Sequence, residues 1–85
     1  MRVTVRYFAS IKEALGKDAE ELELPAGVAT VAALRAHLRA RGAAYGDVLA
    51  EKKLVKAAVN QDMVPATAAL SAGDEIAFFP PVTGG

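Results

Sequence analysis

The sequence predicts an α+β domain of two layers, with one main helix packed on a small mixed sheet of five strands. Three observations carry this. The chain has 85 residues, enough for one domain and no more. Five short runs read as strands, most of them alternating apolar and polar residues. One longer segment, 31–41, carries apolar residues at helical spacing.

The opening run Arg2–Tyr7 places Val3, Val5 and Tyr7 on one parity, which should face the core. Phe8 is then an apolar residue on the polar parity. Ser10-Ile11-Lys12-Glu13 fits a capping box and predicts a short helix over about 9–15, with Gly16 at a left-handed exit. A second strand over 19–24 turns Leu22 and Leu24 inward and Glu21 and Glu23 outward, and Pro25-Ala26-Gly27 ends it. Thr30 is an N-cap for the main helix, Val31–Arg41. Val31, Leu34 and Leu38 form its apolar stripe, and Gly42 should close it. Residues 43–53 read as a loop, with a short helix around 47–51. Lys56–Asn60 is the third strand, with Ala57 and Val59 on one face. Asn60-Gln61-Asp62 is turn chemistry, Met63-Val64 a short fourth strand, and Pro65 its stop. Ser71-Ala72-Gly73-Asp74 is a second tight turn. Glu75–Phe79 is the last strand, with Ile76 and Phe78 on one face and Ala77 and Phe79 on the other.

Composition excludes several kinds of chemistry. Without cysteine there is no disulfide, zinc knuckle, thiolate nucleophile or redox dithiol. Ten basic against ten acidic residues give no field for nucleic acid or an anionic membrane. Charges interrupt every apolar stretch before the ~20 residues a membrane span needs. Met1–Arg6 alternates and lacks a signal-peptide apolar region. The expectation is a small cytoplasmic domain that binds no cofactor of its own and meets its catalytic groups on a partner.

Individual candidates for catalysis are weak. No glycine run forms a phosphate loop. His37 borders the helix stripe without a local Asp or Ser companion. Ser10 and Ser71 read as cap and turn residues. Glu20-Glu21 and Asp74-Glu75 are sequence neighbours on strands, so each pair points to opposite faces. Lys52, Lys53 and Lys56 read as a solvated cluster.

The C-terminus differs. Residues 1–79 form the predicted domain, and 80–85 an extended segment. Pro80 and Pro81 cannot donate to a sheet and favour extended backbone. Val82, Thr83, Gly84 and Gly85 follow. Fully extended, 80–85 reaches roughly 20 Å. A terminal Gly-Gly enters a channel that any Cβ would block, and its α-carboxylate is ionised above pH ~4. Such a carboxylate can attack the α-phosphate of ATP in a partner enzyme, giving an acyl adenylate that accepts sulfide, an amine or a thiol.

These residues carry a family resemblance. The run Gly73-Asp74-Glu75-Ile76-Ala77-Phe78-Phe79-Pro80-Pro81-Val82-Thr83-Gly84-Gly85, together with Ala58-Val59-Asn60-Gln61 and Val5-Arg6-Tyr7-Phe8-Ala9, resembles the MoaD-type sulfur carriers, the small subunits of molybdopterin synthase. The resemblance implies a ubiquitin-like β-grasp fold. It implies that Gly85 is adenylated by an E1-like enzyme that uses ATP, then converted to a thiocarboxylate with sulfur from a donor. It further implies that the segment enters the large synthase subunit and donates sulfur to cyclic pyranopterin monophosphate. The implied assembly is a heterotetramer, two small subunits on a large-subunit dimer. Thiamine-pathway sulfur carriers and ubiquitin-like protein modifiers share the terminal chemistry. A plain interaction domain is the remaining alternative.

Strand parity adds a partner surface. Phe8 and Phe79 both oppose the core parity, so adjacent first and last strands would place them on one outer face, extended by Met63. Pro80, Pro81, Val82 and Thr83 would add extended-chain contacts in a partner groove. Exposed apolar clusters on small domains mark interfaces. The competing expectation is that residues 43–53 cover that face.

Overall fold

The computed structural model describes residues 1–81. Strand β1 (Arg2–Tyr7) leads into helix α1 (Ala9–Leu15), and strand β2 (Ala19–Glu23) returns beside it. Helices α2 (Val31–Arg39) and α3 (Ala43–Val48) follow, then β3 (Lys56–Val59), β4 (Asp62–Val64) and β5 (Glu75–Phe79). The sheet order is β2-β1-β5-β3-β4. Only β1 and β5 run parallel among these pairs, and the other three are antiparallel. The sheet is therefore mixed and five-stranded, with the first and last strands side by side.

The core follows strand parity. Val3, Val5 and Tyr7 of β1 are buried with Ile76 and Phe78 of β5. In register, Tyr7 pairs with Phe78, Phe78 with Ala57, and Ala57 with Val64. This row crosses four strands beneath the helices. Val31, Leu34 and Leu38 of α2 and Ile11 of α1 close over the sheet. Thr30 caps α2 as predicted, its hydroxyl accepting from the Ala33 N–H at 3.1 Å. Gly16 takes the left-handed exit of α1, at φ 71°.

Several local expectations are corrected. Ser10 does not cap α1: Phe8 occupies the cap position, and no side chain accepts a hydrogen bond there. Ala9 has φ 52°, which turns the chain sharply enough to begin the helix one residue before Ser10. Helix α2 ends at Arg39, and Ala40 is its cap. Gly42 instead stands at the entrance of α3. That helix forms at 43–48, earlier than the expected 47–51, because Tyr45 and Leu49 are its inward anchors. Leu49 is fully buried, and the Tyr45 ring meets Tyr7 edge-on at 6.4 Å. Residues 43–49 thus pack on the helical side and leave the opposite sheet face open.

Arg35 holds the segment after α3. Its guanidinium donates to the carbonyls of Leu49, Ala50 and Lys53. One planar fork thus gathers three carbonyls of an irregular stretch, where the Ala50 carbonyl also accepts from the Lys53 N–H at 2.9 Å. This fixes the path by which the chain enters β3.

Candidate functional site

The outer face of the sheet carries a trough that the register explains. Arg6 pairs with Ala77, Ala77 with Ala58, and Ala58 with Met63. This row crosses β1, β5, β3 and β4 on the face opposite the helices. Two alanines at its centre leave the floor low, while larger side chains rise around it. Phe8, Phe79 and Pro80 form one wall, and Glu75 and Gln61 stand at the other. The trough encloses about 540 Å³.

Exposure confirms which way these side chains point. Phe8 is 41% and Met63 61% exposed. Phe79 is half-buried, whereas its neighbour Phe78 is only 1% exposed. Phe8, Phe79 and Met63 therefore share one face, as parity predicts for the two phenylalanines. Two charges border it. Arg6 lies 5.5 Å from the centre of the Phe8 ring, within range of a cation–π attraction. Its Nη1 is 3.8 Å from Glu75 Oε2.

Strand β5 delivers the chain out of the sheet beside this trough. The Phe8 N–H donates to the Phe78 carbonyl at 3.2 Å, which keeps Phe8 level with the strand's end. Pro80 and Pro81 follow outside the ladder and are half-buried. Val82, Thr83, Gly84 and Gly85 lie outside the described residues.

One polar group of the helical side escaped the sequence reading. Glu20 accepts from the Tyr7 hydroxyl at 2.7 Å, the Tyr45 hydroxyl at 2.9 Å and Arg41 Nη1 at 2.9 Å. Lys17 Nζ stands 3.6 Å away. Burial works to raise the Glu20 carboxyl, but hydrogen bonds from Tyr7, Arg41 and Tyr45 outweigh it and hold its pKa below the ordinary value. Burial, reinforced by the Glu20 hydrogen bond, pushes the Tyr7 hydroxyl well above its usual range. The signal was available: Glu20 shares the even parity of Leu22 and Leu24, so a strand places it inward. The network joins β1, β2, α3 and the end of α2 on the sheet face opposite the trough, and its role is structural.

No group of three or more His, Cys, Asp or Glu side chains able to hold a metal occurs among the described residues. No described helix is long and apolar enough to cross a membrane.

Residues 5–85 match the family described as the ThiS family. The chain belongs to that family. The molybdopterin synthase sulfur carrier subunit of Escherichia coli (strain K12) is 46% identical over 83 residues, 98% of this chain and 99% of the relative. Among solved structures, SAMP1 from Haloferax volcanii superposes with a TM-score of 0.77 at 28% identity, covering all of both chains. A protein–protein complex of subunits 1 and 2 of the molybdopterin-converting factor from Helicobacter pylori 26695 contains a chain that matches at TM-score 0.69 and 27% identity, again over all of both chains. The fold is the ubiquitin-like β-grasp that the C-terminal motif implies.

Proposed function

We propose that this chain is the sulfur-carrier subunit of a molybdopterin synthase, working through its last residue. The geometry supporting this is the outer trough, whose wall residue Phe79 leads directly into Pro80, Pro81 and the Gly84-Gly85 ending. A surface for a partner and a chain that can enter that partner lie in one continuous stretch. Relatives named as sulfur carrier subunits, similar over nearly the whole chain, agree with this reading.

The chemistry proceeds at Gly85. Its carboxylate oxygen attacks the α-phosphorus of ATP on an E1-like activating enzyme, and pyrophosphate leaves. Sulfide released by a donor then adds to the acyl carbon, AMP leaves, and a thiocarboxylate remains. Inside the large synthase subunit, that sulfur attacks a side-chain carbon of cyclic pyranopterin monophosphate, an oxygen substituent leaves that carbon, and a thioester joins carrier and substrate. Water then cleaves the acyl–sulfur bond and restores the carboxylate, and a second round supplies the second sulfur. Val82 and Thr83 thread the partner's groove, and Gly84 passes where a side chain would block. ATP belongs to the activating partner. The absence of cysteine suits this chemistry, since no internal thiol can attack the activated terminus.

The large subunit docks on Phe8, Met63, Phe79, Pro80 and Pro81 in this reading, in a heterotetramer of two small and two large subunits. The complex of the two Helicobacter pylori subunits supports such a partner. Genetic rescue tests the assignment. The chain should restore molybdoenzyme activity to a strain lacking its own small synthase subunit, and should not relieve thiamine auxotrophy. Rescue of thiamine auxotrophy alone would reassign it to the thiamine pathway.

A further inference from the structure

Leu54 stands apart from the lining of the outer trough. It is 79% exposed, the most exposed of the large apolar side chains described. It stands on the segment that Arg35 fixes between α3 and β3. Lys56 pairs with Phe79 in antiparallel register, so the residues before Lys56 run alongside those after Phe79. Lys53, Leu54 and Val55 therefore reach the root of the C-terminal segment. With Ile11, Val48 and Pro80 they line a cleft of about 130 Å³, room for one aliphatic side chain. Pro80 lines both this cleft and the outer trough. Apolar surface thus continues around the root, from Met63 and Phe79 on one side to Leu54 on the other.

Chain length determines what must press on that ring. Four residues follow Pro81, and four extended residues span at most ~14 Å. A partner whose reacting atoms meet the Gly85 carboxyl must bring its surface down around Pro80 and Pro81. A recessed active site uses up most of that reach, so the channel mouth closes on the root from several sides.

We infer that Leu54 and its cleft are a second anchor for the large synthase subunit, which seats an apolar side chain from the channel mouth against Leu54, Ile11 and Pro80. The inference rests on the function proposed above and extends it: the partner grips the root of the tail from both sides of the sheet. Because Leu54 is exposed in the free chain, it contributes to docking at little expense to folding.

Calorimetric titration of the full chain into purified large subunit tests this. Leu54→Asp should weaken binding about tenfold or more, and Leu54→Ala by about three- to tenfold. Both should melt close to the parent chain, since exposed substitutions shift stability little. Lys52→Gln, the same change of one unit in net charge on the same exposed segment, should bind like the parent. If the parent binds and Leu54→Asp and Leu54→Ala both bind within about twofold of it, the anchor is refuted while the carrier assignment stands. Equal weakening by Lys52→Gln would also refute it, because general charge would then be the cause. Weakened binding to the activating enzyme alone would place the anchor with the wrong partner. A parent chain that binds no large subunit would overturn the carrier assignment, and the anchor with it.

Discussion

The side chain of Asn60 clasps the residues that open the last strand. Its Nδ2 donates to Asp74 Oδ1 at 3.0 Å, and its Oδ1 accepts from the Glu75 N–H at 3.0 Å. The Asn60 backbone N–H also donates to the Glu75 carbonyl at 2.8 Å. Asp74 in turn accepts from the Ser71 N–H at 2.8 Å through its other oxygen. Two of the three motifs that mark the family thus meet in space, and their polar residues hold β3, β4 and β5 in register. Asn60 and Asp74 stand outside the trough's lining and hold in place its two polar wall residues, Gln61 and Glu75.

Asn60 has a second duty, since it and Gln61 sit at φ 50° and 72° in the turn between β3 and β4. Asparagine tolerates that region better than most residues. Asn60→Ala should cost about 1–3 kcal/mol, from lost hydrogen bonds and the left-handed backbone. Asn60→Gly keeps the backbone freedom and loses only the clasp, so it should cost less. Chemical denaturation of both variants checks the order, and equal losses would show that the backbone conformation contributes nothing.

Glu20 makes stability depend on acid. Its folded pKa is depressed, so its contribution is fully present above the unfolded value of about 4.3. It fades as pH falls through the lower folded value. Thermal melts from pH 7 to 3 should show the parent losing stability below pH ~4.5. Glu20→Gln should be less stable at neutral pH and should lose less on acidification. Matching slopes for the two proteins would mean other carboxylates govern the acid limb.

Ala9 holds a left-handed conformation at φ 52°, one residue after Phe8. A non-glycine residue there carries roughly 1–2 kcal/mol of steric cost. Ala9→Gly should therefore melt at or above the parent temperature, the relief offsetting the entropy of the freer unfolded chain. Ala9→Val should melt several degrees lower. A clear loss on Ala9→Gly would show that the Ala9 methyl at the trough edge supports the fold.

The trough should separate binding from folding. Phe8→Ala and Met63→Asp remove or reverse exposed apolar surface, so each should weaken binding to the large subunit by about tenfold or more and shift stability little. Phe79→Ala should weaken binding similarly, with a somewhat larger loss of stability because that ring is half-buried. Isothermal titration beside thermal melts gives both readouts. A large fall in melting temperature for Met63→Asp would contradict its outward placement.

Most of the architecture was legible because strand parity is a strong signal wherever one face is buried. The pairing of β1 with β5 needed more than parity: it followed from the fold that the C-terminal motif implied. The misreadings have local causes. Ser10 has the capping sequence, but the left-handed Ala9 starts the helix one residue ahead of it. Gly42 follows a cationic helix end, yet α2 finishes earlier and the glycine opens α3. Helix α3 has Tyr45 and Leu49 as anchors, too few apolar positions to show a period. Leu54 gives no signal in the sequence, because one exposed leucine in an irregular stretch is ordinary. Its meaning comes from the register of Lys56 with Phe79, which only the folded chain supplies.

The proposed function puts the working atom group of this chain at the carboxyl of Gly85. Intact mass spectrometry after incubation with ATP, the activating enzyme and a sulfur source tests it most directly. Replacement of one carboxyl oxygen by sulfur should add about 16 Da to the full chain and should vanish when Gly85 is deleted. An unchanged mass for the full chain beside a charged control carrier, or the same gain in the deletion variant, would contradict the account.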